Sequence, residues 1–306
     1  MSVLAVGSVA FDTIKTPFGH VEKELGGSAT YFALAASYFT DVRVVAIVGD
    51  DFGPEQERVF RQRGVSLEGL ERAPGKTFHW GGEYGENVNE AQTNFTDLNV
   101  FAGFKPRIPQ EFRSSEFLFL GNIQPTLQAD VRRQMNGARL VGGDTMNYWI
   151  NNTRAELGQT LKLIDVLLIN DSEAKMLAGE TSLPRAANKV LSMGPKALVI
   201  KHGEYGATIF FGAAAFGTSH PFRAPALPIE QVKDPTGAGD SFAGGFMGYI
   251  ASQGELHREV LKRAMFYGSV MGSFAVEDFG TRRLQALTRD QIEARFQLFR
   301  ELTHLE

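Results

Sequence analysis

Short apolar runs recur along this chain with helix-length segments between them, and that alternation restricts the fold more than any other feature. The runs are Val3–Val9, Val42–Val48, Glu116–Leu120, Arg139–Gly143, Val166–Ile169 and Ala197–Lys201. They are apolar nearly throughout rather than at every second position, which is the pattern of strands covered on both faces. Helical spacing fills the gaps near Gly27–Phe39, Pro54–Arg63, Leu127–Met135, Arg154–Ile164, Ser172–Leu177 and Pro184–Ser192. Strands alternating with helices imply βαβ units, hence an α/β fold with a doubly wound, mostly parallel sheet and helices on both faces. The last third changes character: a hairpin at Ala207–Phe211 and Phe216–His220, then helices near Gly239–Ser252, His257–Val276 and Arg289–Leu302.

Two regions break the alternation. Thr13–Leu25 and Lys76–Phe104 lack helical spacing and carry short polar and aromatic alternations such as KTFHWGGEY, so they read as strands outside the main sheet. Insertions of this size commonly serve as lids or binding loops. The 306 residues are thus expected to form a single domain, 1–306, with a small β-lid from 13–25 and 76–104. A formal net charge of −4 without a basic run gives no support for nucleic acid or a membrane surface as partner. With no cysteine, disulfides, thiolate metal sites and cysteine nucleophiles are excluded. The opening MSVLAVGSVAFD has no basic leader, and the expected location is cytoplasmic.

In an open α/β sheet, ligands bind beyond the carboxyl ends of the strands. Polar or glycine-rich groups stand there repeatedly. Asp12 follows the first run, and Gly26-Gly27 opens a helix in LGGSATYFALAA. Asn170 and Glu173 follow VLLIN with the spacing N-x-x-E, and Lys201-His202-Gly203 follows ALVI. DPTGAGDSFAGGF (234–246) starts a long apolar helix with glycines and a carboxylate in its first turn. Each alone has a plain structural explanation. Asp12 suits a turn, Glu173 a helix start, and Asp240 a cap on free backbone N–H groups. Their recurrence at successive strand ends is what singles them out.

These motifs, from VGSVAFD through LGGSA, INDSEAKML and IKHGEYGA to DPTGAGDSFAGGF, resemble those of the ribokinase-like (PfkB) carbohydrate and nucleoside kinases over nearly the whole chain. The resemblance implies ATP-dependent phosphorylation of an alcohol group on a small sugar, sugar-like molecule or nucleoside. It implies Asp240 as catalytic base, with Gly237, Ala238 and Gly239 offering amides to the transferring phosphate, a role suited to a helix start. Asn170 and Glu173 match the motif that organises Mg²⁺ largely through water, in keeping with that ion's reluctance to shed its shell. Asp12, Gly26 and Gly27 match the substrate pocket, and Lys201, Gly203 and Gly206 a loop near the nucleotide. Asp234 and Thr236 stand where many relatives bind a monovalent cation such as K⁺, and a homodimer through the lid is a further expectation. Two positions depart from the pattern. Tyr31 replaces a common Asn of the substrate pocket, and Tyr267, in AMFYGSVMG, replaces one near the nucleotide.

The leading reading is a sugar kinase, with a nucleoside kinase as the alternative in which Phe78, Trp80, Tyr84 or Phe95 stacks on a base. A dinucleotide oxidoreductase lacks its G-x-G-x-x-G and following acid. A non-catalytic sensor would have no use for Asp240 beside Asn170 and Glu173. Tyr31, bulky where relatives are compact, predicts that plain ribose and adenosine are both poor substrates.

Overall fold

The computed structural model describes residues 1–85, 88 and 91–303, so four lid positions (86, 87, 89 and 90) lie outside the described residues. The strands are β1 (Ser2–Val6), β2 (Ala10–Thr16), β3 (Gly19–Gly26), β4 (Asp41–Val48), β5 (Ser66–Arg72), β6 (His79–Tyr84), β7 (Ala91–Asp97), β8 (Phe117–Leu120), β9 (Leu140–Gly143), β10 (Val166–Asn170), β11 (Ala197–Lys201), β12 (Ala207–Phe211) and β13 (Phe222–Ala224). Among the described residues they form a nine-stranded sheet in the order β13-β12-β11-β10-β9-β8-β1-β4-β5 and a four-stranded sheet in the order β3-β2-β6-β7. From β5 to β11 neighbours in the large sheet run parallel, while β12 and β13 close one edge antiparallel. This is the ribokinase-like α/β architecture.

The unbroken apolar runs have a direct cause. Val3 and Ala5 point into one core, Leu4 and Val6 into another, and the same split repeats through β4, β8, β10 and β11. Each strand therefore needs apolar side chains at every position. The first core is capped by the helices Ser28–Ala36, Ala238–Gln253 and Arg258–Ala275, the second by helices between Pro125 and Leu191. The helix Ala238–Gln253 keeps its glycines although each costs roughly 1 kcal/mol of helix propensity. A Cβ on Gly244 would overlap the Phe32 carbonyl, and one on Gly245 the Tyr267 carbonyl, so the glycines let this helix wedge between its neighbours.

Three expectations are corrected. The second hairpin strand at Phe216–His220 is instead the end of a short helix, Ala213–Phe216, followed by β13. Phe216 packs edge-on against Phe211, so its apolar character anchors a turn rather than a strand. β5 was not expected; it is an edge strand, and its polar SLEGLER hides the pattern. Asn99–Gly103, inside the second lid segment, is a 3₁₀ turn rather than strand. The segments 13–25 and 76–104 otherwise supply most of the four-stranded sheet, and β2 begins early enough to include Asp12. Among the described residues no helix is long and apolar enough to cross a membrane.

Candidate active site

The chain entering the helix Ala238–Gln253 is fixed by Asp234, which is fully buried. Its Oδ1 accepts from the Thr236 amide at 2.9 Å and its Oδ2 from the Gly280 amide at 2.8 Å. Thr236 Oγ1 in turn meets Tyr84 Oη of β6 at 3.1 Å. Gly237 then adopts left-handed backbone, φ 72° and ψ 2°, a conformation that disfavours any side chain. The ring of Tyr31 occupies the space that a Cβ on Gly237 would need. The Ala238 amide is taken by the Pro235 carbonyl at 3.2 Å, whereas those of Gly237, Gly239 and Asp240 have no acceptor among the described residues. Of the three amides that the sequence suggested, only that of Ala238 is used up; Gly237 and Gly239 keep free donors, and Asp240 adds one.

Asp240, in the first turn, is pushed up to about 7 by burial and by the negative charge of Asp144, with Lys201 pulling the other way. Asp12 is pushed up to about 8, first by burial and next by Asp234, against the opposing Gly27 amide. Both carboxyls therefore titrate near neutrality, the range suited to proton transfer. Gly26 exists for Asp12: a side chain there would enter the Asp12 carboxyl. Gly27, φ 93°, bends the chain into the helix Ser28–Ala36, and Ser8 and Ser28 lock that bend with reciprocal hydrogen bonds of 3.2 and 3.0 Å. Tyr31 is 1 % exposed, and its Oη has no partner among the described residues. Burial, then Asp12 and Asp234, drive the phenol far above its usual range, so it stays an O–H donor.

A second group stands at the carboxyl ends of three adjacent strands. Asp144 follows β9, Asn170 ends β10, and Lys201 ends β11 directly beside it. Asn170 and Glu173 form a capping box: the Asn170 side chain accepts from the Glu173 amide, and Glu173 Oε2 from the Asn170 amide, each at 2.8 Å. Burial and then Asp144 raise Glu173 to about 7, while Lys201 and the Asn170 amide oppose them. Lys201 Nζ lies 3.9 Å from Asp144 Oδ2. Among the described residues no three His, Asp or Glu side chains cluster tightly enough to hold a metal ion by themselves. Gly203 is exposed beyond Lys201, but Gly206 is buried against the Ala224 carbonyl of β13 and closes that loop instead of facing the site.

The four-stranded sheet sorts the aromatic residues. Asp12 pairs with Trp80 and Ile14 with Gly82 across β2 and β6, so these four share one face. The Trp80 indole lies over Gly82, where any side chain would collide with it, and its Nε1 donates to Thr93 Oγ1 of β7 at 3.4 Å. Ile14, Tyr84 and Phe279 pack together on that face, with Trp80 and Val21 at the margin. Phe95 packs edge-on to His79 on the opposite face, which also carries the Thr13–His79 hydrogen bond of 2.8 Å. Phe78 stacks on Phe101. Of the four aromatic residues considered for stacking, Trp80 and Tyr84 face the Asp12 side; the other two are packing.

Sequence reasoning missed Asp144, Tyr84 as partner of Thr236, and the Gly280 amide. Asp144 had a usable signal, since it follows a strand end as Asn170 and Lys201 do. Tyr267 is a correction. It stacks between Tyr249 and Phe296 with its hydroxyl on Glu293, near the far end of the helix Ala238–Gln253. The part of its helix that reaches Ala238 is Gly272.

Residues 2–287 match the pfkB family of carbohydrate kinases. The cytidine kinase of Thermococcus kodakarensis is 29% identical over 285 residues, 86% of this chain and 97% of that one. The nucleoside kinase of Methanothermobacter thermautotrophicus is 25% identical over 313 residues, 92% and 91% of the two chains. Burkholderia thailandensis nucleoside kinase, solved in complex with inosine, superposes with a TM-score of 0.76 at 23% identity over 97% of this chain and 98% of that one, a likeness of fold.

Proposed function

The chain belongs to the pfkB family of carbohydrate kinases, phosphotransferases that act on a hydroxyl group, and we propose that it transfers the γ-phosphoryl group of ATP to the primary hydroxyl of a pyrimidine ribonucleoside. One observation carries the substrate class. Asp12, able to accept two neighbouring hydroxyls, is paired across the strands with Trp80, whose indole lies over Gly82 on the same face of the small sheet. A vicinal diol held beside a planar ring describes a ribonucleoside better than a free sugar. The similarity to a cytidine kinase over most of both chains supports this. Tyr31 narrows the pocket, and that favours a single-ring base over adenine and keeps ribose and adenosine as poor substrates.

With the diol on Asp12, the exocyclic CH₂OH is the hydroxyl free to reach Asp240. Asp240 accepts its proton as the oxygen attacks, and the amides of Gly239 and Asp240 receive the charge on the phosphoryl oxygens. Mg²⁺ brought with ATP would neutralise phosphate charge. Asn170 and Glu173, with Asp144 beside them, are too few close ligands for a bare ion and suit one that keeps several waters. Asp234 and Thr236 are assigned to a monovalent cation, checked by comparing turnover in K⁺ with that in choline. A homodimer through the exposed outer face of the lid is checked by sedimentation.

The test of the substrate class is kcat/KM for cytidine, uridine, adenosine and ribose with ATP, for wild type and Trp80→Ala. Pyrimidine nucleosides should lead, and Trp80→Ala should weaken them by roughly 5- to 150-fold, the worth of one stacked base. Efficient ribose or adenosine phosphorylation by the wild type, or indifference of cytidine to Trp80→Ala, would refute it.

A further inference from the structure

Lys201, expected only to lie near the nucleotide, has no task in the transfer step above, yet its ammonium is set against the anion-binding helix start. Its side chain is only 18 % exposed. Nζ is 3.9 Å from Asp144 Oδ2, too far for a direct hydrogen bond. It also lies 2.9 Å from the point that a Cβ on Gly239 would occupy. Among the described residues it donates no hydrogen bond, although an ammonium carries three donors. A lysine kept only as counter-ion for Asp144 would close that gap. Instead the head group stops short, beside the unpaired Gly239 amide, and Gly239 has no side chain to displace it.

The local charge calls for such a group. Asp144, Glu173 and Asp240 surround the place where a polyanion must sit, and with them alone the site would repel phosphate. Those same acids keep Lys201 protonated despite its burial. We infer that Lys201 is a catalytic residue whose ammonium contacts a non-bridging oxygen of the γ-phosphoryl group during transfer. The inference rests on the kinase reading. In the step itself the substrate oxygen forms a bond to the γ-phosphorus, and the bond to the β–γ bridging oxygen breaks. ADP departs with that electron pair, the hydroxyl proton passes to Asp240, and Lys201 keeps its proton throughout. Charge gathers on the migrating oxygens midway, where a fixed, poorly hydrated cation acts most strongly.

Lys201→Met removes the charge at similar length, and Lys201→Arg restores it. The measurements are thermal unfolding, ADP affinity with and without aluminium fluoride, and kcat and KM across pH. The methionine variant should fold, bind ADP as the wild type does, and lose about 10²–10³ in kcat, as for one deleted transition-state donor. Aluminium fluoride, a planar mimic of the phosphoryl group in flight, should tighten ADP on the wild type and not on this variant. The rising limb of its kcat/KM profile should move to higher pH, because Lys201 pulls the Asp240 proton off. Lys201→Arg should regain part of both. A kcat within about threefold of wild type, a loss confined to the KM for ATP, or unfolding of both variants would each overturn the inference. The fluoride measurement needs no acceptor, so a mistaken substrate class would leave it able to decide the role of Lys201.

Discussion

Gly237→Ala tests the contact between the acceptor pocket and the phosphate-binding loop. At φ 72° an alanine sits in left-handed backbone, which costs it roughly 1–2 kcal/mol. Its methyl group would also overlap Cγ, Cδ1 and Cδ2 of the Tyr31 ring. That ring is 1 % exposed and cannot swing into solvent, so an overpacking cost of roughly 1–3 kcal/mol is added. The sum, about 2–5 kcal/mol, is less than the 5–15 kcal/mol that holds a typical domain together, so the variant should fold while losing stability. Urea unfolding of wild type, Gly237→Ala, Tyr31→Ala and the double variant forms a cycle that isolates the pair. With the ring gone, alanine should cost only the backbone share, about 1–2 kcal/mol. Equal penalties in the two backgrounds, within about 0.5 kcal/mol, would refute the idea that Tyr31 is what Gly237 accommodates.

Asp240→Asn should fold and bind ATP but lose about 10²–10⁴ in kcat, measured by ADP release at saturating substrate. In the wild type, kcat/KM should rise with pH through about 7 to 8 as Asp240 and Asp12 ionise, and the variant should keep only the Asp12 part of that limb. Stability should respond with the opposite sign: the native carboxyl holds its proton more tightly than the unfolded one, so wild-type stability falls between the ordinary aspartate pKa and about 7. Asp240→Asn should accordingly gain Tm on the wild type between pH 4.5 and 7.5, on the order of a few degrees. Glu173→Gln should raise the Mg²⁺ concentration for half-maximal rate at saturating ATP and leave nucleoside KM nearly unchanged; identical Mg²⁺ titrations would remove Glu173 from the metal site. Hydrogen exchange in β2, β3 and β6 should slow when nucleoside binds, as a closing lid requires, and unchanged exchange would count against closure.

The buried parallel strands were legible because both faces of each need apolar residues, which leaves runs such as VLLI and FLFL in plain view. β5 was not, since an edge strand open to solvent along one side can carry Glu68, Glu71 and Arg72 among its apolar residues. Site residues were legible where they fall in short local motifs, as in GAGD and N-x-x-E. Contacts between distant segments left no trace: Thr236 meets Tyr84 across 152 positions, and Asp234 meets Gly280 across 46. The aromatic residues of the lid illustrate the difference. In sequence Trp80 and Phe95 look alike, and only the pairing of β2 with β6 shows which faces Asp12. The Ala238 amide is a subtler case, because the motif names the loop but not which amide the turn to Pro235 consumes.

The most direct test of the account is to identify the product. ATP and cytidine, incubated with the enzyme and followed by phosphorus and proton NMR, should yield ADP and one phosphomonoester in equal amounts, the phosphorus coupled to the two protons of the exocyclic CH₂. Asp240→Asn should form the same product at a rate lower by about 10²–10⁴. Inorganic phosphate without a phosphorylated nucleoside, a phosphorus coupled to a ring proton, or a full rate in Asp240→Asn would contradict it.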